Sequence, residues 1–159
     1  MRLKANNFKN KLKYKIINYL LQNGNKPTCE KTLSQSLKLI QKSQKKSHFE
    51  IVKLAILNAT PVFRVIELKN KRKKRKKKGI GKQSKEIPAF LSHYVFRTSQ
   101  AIKLISDGAV KRSRSKGLAK QLHQEIQTTS QNSGEVIKVK TETQKLALKK
   151  KFYFKYYRW

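Results

Sequence analysis

Acidic residues are scarce in this chain: eight Asp and Glu against forty Lys and Arg, a net charge of +32 over 159 residues. Those few carboxylates, several of them (Glu30, Glu50, Glu67 and Glu142) near expected helix starts or on an extended run, offer no evident pair for general acid and base work. Cysteine is limited to Cys29, which excludes an internal disulfide and a multi-cysteine zinc site and reads as a small apolar helix residue. The three histidines, His48, His93 and His123, lie far apart and read as helix-surface or loop residues rather than metal ligands. No apolar run approaches the roughly 18 residues of a membrane span, and the start lacks the apolar core of a secretory signal. The expectation is a soluble intracellular chain whose basic opening, Met1 to Lys9, is too short for a cleavable transit peptide. Phosphate-loop, Rossmann and serine-elbow patterns are also missing; Gly79-Ile80-Gly81 has no third glycine and no following helix, so it is turn chemistry. No catalytic residue, no metal and no cofactor is expected, and the chain is not read as an enzyme.

What is abundant is positive charge, present at both ends, in the tip and in the loops. Self-repulsion at +32 disfavours a compact isolated fold, so a polyanionic partner belongs to the stable state. The charge peaks at Lys69, Lys71, Arg72, Lys73, Lys74, Arg75, Lys76, Lys77 and Lys78, nine cations in ten residues. Two extended runs flank this tip. Pro61 to Leu68 leads up, and Lys82 to Leu91 leads back with Ile87, Ala89 and Leu91 at alternate positions. Residues 61 to 91 therefore read as a β-ribbon whose tip needs solvent, a polyanion or both.

Helical periodicity surrounds the ribbon. Leu12, Ile16 and Leu20, joined by Ile17 and Leu21, predict a helix over 12–22 closed by Gly24. A second begins near Thr28 and carries Cys29, Leu33, Leu37 and Ile40, fading into a polar link at 41–46. Ser47 and Glu50 have capping-box spacing ahead of Phe49, Val52, Ile56 and Ala59, a third helix that Pro61 must end. Val95, Thr98, Ile102, Ile105 and Ala109 predict a fourth over 94–110, with Arg97 and Lys103 on its surface. Residues 111–116, including Lys111, Arg112, Arg114 and Lys116, read as a basic loop, with Ser115 capping a fifth helix through Leu118, Leu122 and Ile126. Thr141 and Gln144 suggest a capping box opening a last helix through Leu146 and Leu148. The predicted architecture is α+β and mostly α: one domain of five to six helices with an inserted β-hairpin and basic arms. Its parts are a basic N-terminal arm (1–11), a helical body (12–151) and an aromatic, basic tail (152–159).

Two features point to nucleic acid by chemistry alone. Arg112 and Arg114 suit phosphate through their planar fork, whereas the lysine-rich tip supplies steering with little sequence preference. In the tail, Phe152 and Phe154 fit closure of the core. Tyr156, Tyr157, Arg158 and Trp159 interleave stacking planes with a guanidinium, suited to RNA bases, backbone or a neighbouring protein.

Several collinear motifs resemble the bacterial and organellar form of small-subunit ribosomal protein seven. Asn23-Gly24-Asn25-Lys26-Pro27-Thr28-Cys29-Glu30 is similar to that family's Asp-Gly-Lys-Lys-x-x-Ala-Glu, and Glu86-Ile87-Pro88 to its Gln-Val-Pro. Ala55 to Pro61 followed by Val65 resembles the approach to its ribbon. Arg97, Ala101, Lys103, Ile105, Asp107, Ala109, Lys111 and Arg112 follow its next helix in order. Leu122, Glu125-Ile126, Asn132, Gly134, Lys138 and the closing Tyr157-Arg158-Trp159 match its last third. The resemblance implies a structural RNA-binding protein of the small subunit's head. It would bind the 3′ major domain of the ribosomal RNA, with its ribbon toward exit-site transfer RNA and the messenger exit path. It places Lys69 to Lys78, Lys82 and Lys85 on nucleic acid through the ribbon, and Lys4, Lys9, Lys11 and Lys13 through the N-terminal arm. Neighbouring ribosomal proteins are implied partners; a membrane and a second copy of the chain are not. The lysine tract before Gly79-Ile80-Gly81 is longer than the family's arginine-rich one, and the arm is short. The Lys, Asn and Ile bias suggests an AT-rich genome and favours a mitochondrial ribosome, ahead of a plastid or bacterial cytoplasm. The competing reading is a nuclear or nucleolar protein in which 71–78 is an import signal.

Neutralising residues 69–78 is expected to lower the salt slope of RNA binding by several units, at about 0.7 to 0.9 for each phosphate that the tip neutralises. The check is affinity measured across a salt series; an unchanged slope means that the tip touches no phosphate.

Overall fold

The computed structural model describes residues 2–21, 24–43, 47–68 and 85–155. Among them are six α-helices and one two-stranded sheet. In chain order these are α1 (Arg2–Leu20), α2 (Lys26–Ser43), α3 (His48–Ala59), β1 (Phe63–Leu68), β2 (Lys85–Phe90), α4 (Tyr94–Lys116), α5 (Leu118–Ser130) and α6 (Glu135–Lys149). A 3-10 turn, Lys151–Lys155, follows. The expected class, α+β and mostly α, is the one observed.

α5 sits at the centre, packed by α2, α3 and α4, while α1 lies against α4. Leu122 and Ile126 of α5 meet Ile51, Val52 and Ile56 of α3 and Ile102 and Ile105 of α4 in one buried cluster. Ile17, Leu20, Leu33 and Ile40 extend it beneath α1 and α2. Each buried Leu or Ile contributes about 1.5–3 kcal/mol against the mutual repulsion of the surface cations. Ala55, Ala59, Ala101 and Ala109 are buried too, and their small side chains let the helices approach closely. The Cys29 thiol donates to the Leu20 carbonyl at 3.4 Å and ties the start of α2 to the end of α1.

Local chemistry explains where the elements differ from expectation. Residues 2–11, read as an arm, continue α1: they hold no Pro or Gly, and their Lys, Arg and Leu favour helix. α2 starts two residues before Thr28 and takes Pro27 into its first turn, where a missing N–H costs nothing. Ser47 starts α3, but its hydroxyl makes no capping bond; its carbonyl instead accepts the Glu50 and Ile51 N–H groups at 3.0 and 3.2 Å.

The expected basic loop at 111–116 is a correction. It is the last turn and a half of α4, because Lys and Arg are good helix formers and cations suit the negative helix end. Gly117, at φ 72°, ends that helix and starts α5, the role expected of Ser115. Thr141 is not a cap either. It lies inside α6, its hydroxyl donating back to the Lys138 carbonyl at 2.8 Å, and the helix opens at Gly134.

Gly134 has φ 94° and ψ −178°, a backbone state that side chains resist, and a Cβ there would stand 3.1 Å from Thr128 Oγ1. Gly134→Ala is therefore expected to destabilise the fold by about 1–3 kcal/mol, measured by denaturant melting at high salt. A neutral result would mean that the α5–α6 turn relaxes freely.

Candidate nucleic-acid interface

The root of the ribbon is built on the helical body. β1 and β2 pair antiparallel in the register Phe63 with Phe90 through Leu68 with Lys85. Ile87 and Ala89 are buried as expected, but Pro88 between them is buried too, so both faces of β2 are covered there; Leu91 N–H closes the pair on the Val62 carbonyl at 2.9 Å. On the other face Phe63 meets Phe90 edge-on at 5.7 Å and stacks on Phe154 at 5.3 Å. Phe154 thus closes the ribbon root rather than the helical core, and Phe152 is exposed beside Tyr153. Lys150, just past α6, pairs with the Glu86 carboxylate at 2.8 Å and ties β2 to the end of that helix.

Between β1, α4 and α6 lies an open cleft of about 540 Å³. Arg64, Lys103 and Lys140 reach it with Gln100 and Thr143, over an apolar floor that includes Val65 and Leu104; Glu67 is the one acid on its lining. Arg64 and Lys103 are exposed. Lys140 is half-buried, and burial pushes its ammonium pKa below the ordinary value. Its Nζ donates to the Asn58 carbonyl at 2.6 Å, satisfying the C-terminal end of α3. Asn58 in turn donates its side-chain amide to the Thr129 and Ser130 carbonyls at the end of α5. Three cations facing one acid across a groove of that size suit a phosphate backbone, with Gln100 able to hydrogen-bond a sugar or base.

The expected contact residues divide into four groups. Lys11, Lys13, Lys103, Lys111 and Lys138 stand exposed on α1, α4 and α6, free to meet phosphate. Lys4, Lys9, Arg114 and Lys116 fall on helices, and Lys85 on β2, but their side chains lie outside the described residues. Wholly outside them are Lys69, Lys71, Arg72, Lys73, Lys74, Arg75, Lys76, Lys77, Lys78, Lys82, Tyr156, Tyr157, Arg158 and Trp159.

The remaining two arginines are engaged within the protein. Arg97 donates from Nε to the Leu91 carbonyl at 2.5 Å and lays its guanidinium 5.2 Å over the Phe90 ring, bracing the ribbon root. Arg112 pairs with Glu125 at 2.5 Å and with Glu135 at 2.7 Å, joining α4, α5 and α6. Glu125 is fully buried, so burial pushes its carboxyl above the ordinary range, Arg112 pulls it down and Glu135 adds a further upward push. The Glu135 hydrogen bond, and then the Glu125 charge, hold the Arg112 guanidinium above its usual value. Burial pushes the His123 imidazole pKa down, because it disfavours the charged form. Among the described residues no group of His, Cys, Asp or Glu gathers as a metal site.

Sequence reading missed Arg64, Lys140 and the two carboxylates that converge on Arg112. Arg64 had a signal, a cation on a strand of the ribbon. The others had none, because their partners lie far along the chain.

A basic helical body with a two-stranded ribbon and a cation-lined cleft suits the binding of a phosphate backbone. The chain belongs to the ribosomal protein S7p/S5e family, whose model matches residues 2–151. It is accordingly a ribosomal protein of the small subunit, structural in role, that binds ribosomal RNA in company with other ribosomal proteins.

The geometry separates two kinds of basic residue. Arg112→Ala leaves Glu125 buried beside no cation and is expected to cost about 3–5 kcal/mol of stability without altering the salt slope of RNA binding. Lys103→Ala should do the reverse, lowering the slope by about one unit and leaving stability within about 0.5 kcal/mol. Denaturant melts and salt titrations on both variants check this; a lowered slope for Arg112→Ala would give that side chain to RNA.

Proposed function

We propose that the chain anchors the head of the small ribosomal subunit, binding the 3′ major domain of its RNA and supporting assembly of the head. The cleft between β1, α4 and α6 receives phosphate backbone on Arg64, Lys103 and Lys140, while Lys11, Lys13, Lys111 and Lys138 widen the footprint over α1, α4 and α6. Lys69 to Lys78, between the two strands in sequence, meet exit-site transfer RNA and the messenger exit path. Trp159, Arg158, Tyr157 and Tyr156 add stacking and one charge. The observation that supports this reading is the ribbon root, which Arg97, Phe154 and Lys150 tie to the helical body beside the cation-lined cleft. The Lys, Asn and Ile bias supports a mitochondrial ribosome as the setting.

Crosslinking from the 69–78 tip in purified small subunits is expected to reach nucleotides of the 3′ major domain, exit-site transfer RNA or messenger, in particles recovered from mitochondria. Crosslinks confined to another RNA domain would overturn the head placement. Recovery with nuclei in place of ribosomal particles would favour the chromatin or nucleolar alternative, and particles from a plastid or bacterial cytoplasm would correct the compartment alone.

A further inference from the structure

Where β2 runs into α4, the molecule leaves large apolar side chains in water. Phe90 is 39% exposed, Tyr94 59%, Val95 54% and Phe96 61%. At the first turn of α4 His93 meets Phe96 edge-on at 5.9 Å, and the Arg97 guanidinium lies over the Phe90 ring. Among the described residues these side chains stay exposed, although burying them would yield about 25 cal/mol per Å². Contiguous exposed patches of this kind mark interaction sites.

Charge decides among the occupants. Residues 86–96 contain no Lys or Arg, in a chain where forty of 159 residues are one or the other. A phosphate-binding surface would need cations there. Arg97, which follows, is already held by the Leu91 carbonyl and the Phe90 ring. A second copy of the chain is opposed by repulsion between two molecules of net charge +32. What remains is a different polypeptide, apolar where it meets Val95 and Phe96 and acidic at its margin, drawn in by the positive field around it.

We propose that Phe90, Tyr94, Val95 and Phe96 form a docking surface for another protein of the particle, through an apolar segment flanked by Asp or Glu. This rests on the ribosomal role and adds the place and chemistry of one protein neighbour. It separates the two faces of the ribbon root, with RNA at the cleft and protein at the start of α4.

Hydroxyl-radical footprinting of the native chain tests it, with oxidation of Tyr94 and Phe96 read by mass spectrometry. The two rings should oxidise as readily in the binary complex with small-subunit RNA as in the free chain. In the complete subunit they should oxidise about tenfold less, as expected for a packed, dry interface. A benzophenone side chain at position 95 in that subunit should crosslink to a polypeptide segment that is apolar with acidic neighbours. Protection already present in the binary complex makes the surface an RNA stacking platform and overturns the proposal. So do unchanged oxidation in the subunit and crosslinks that reach only RNA, a second copy or a basic segment. Absence of the chain from sedimented subunits defeats the ribosomal role itself and is seen before any footprint is taken.

Discussion

Like-charge repulsion is the constraint on which the structure turns, and only eight acids are there to relieve it. Among the described residues, Glu86, Glu125 and Glu135 form the salt bridges, and each lies at a joint between elements. Glu125 and Glu135 fasten α5 and α6 to α4 through Arg112; Glu86 fastens the ribbon to the end of α6. A buried carboxylate such as Glu125 is expensive to desolvate, and its pairing adds little net stability over an apolar residue of the same size. Its value is positional, because the guanidinium that pairs with its charge comes from α4 and fixes how that helix meets α5.

Those joints give the charged surfaces their direction. The ribbon root is clamped on one face by Phe63, Phe90 and Phe154, on its edge by Lys150, and at its exit by Arg97. Helix ends are satisfied from neighbouring helices, Asn58 on the end of α5 and Lys140 on the end of α3. Lys140 thereby serves two purposes: it completes a helix terminus and lends charge to the cleft. A rigid body that presents cations at fixed spacing loses less entropy on meeting folded RNA than a flexible basic chain would.

A ribosomal protein of this family meets RNA and protein neighbours together, and the surface around the ribbon root is uneven in its chemistry. Cations line the cleft between β1, α4 and α6, whereas the adjoining start of α4 is aromatic and uncharged. The two regions share the ribbon root, so whatever holds the root in place sets the angle between them.

The sequence by itself determined the helical class, the inserted ribbon, the burial of Ile87 and Ala89, and the polyanionic partner, because periodicity and net charge are local or summed properties of the chain. It also carried enough collinear motif to indicate the family. It misjudged element limits wherever a side chain had two uses: Lys111 to Lys116 read as a solvated loop and continue α4, and Thr141 read as a cap and lies within α6. Only the tertiary structure decided which basic residues face outward and which are committed inside. Arg97 and Arg112 look like Lys103 and Lys111 in sequence. Their difference lies in Leu91, Phe90, Glu125 and Glu135, and for Arg112 those partners arrive from other helices, a matter of packing that no local pattern encodes.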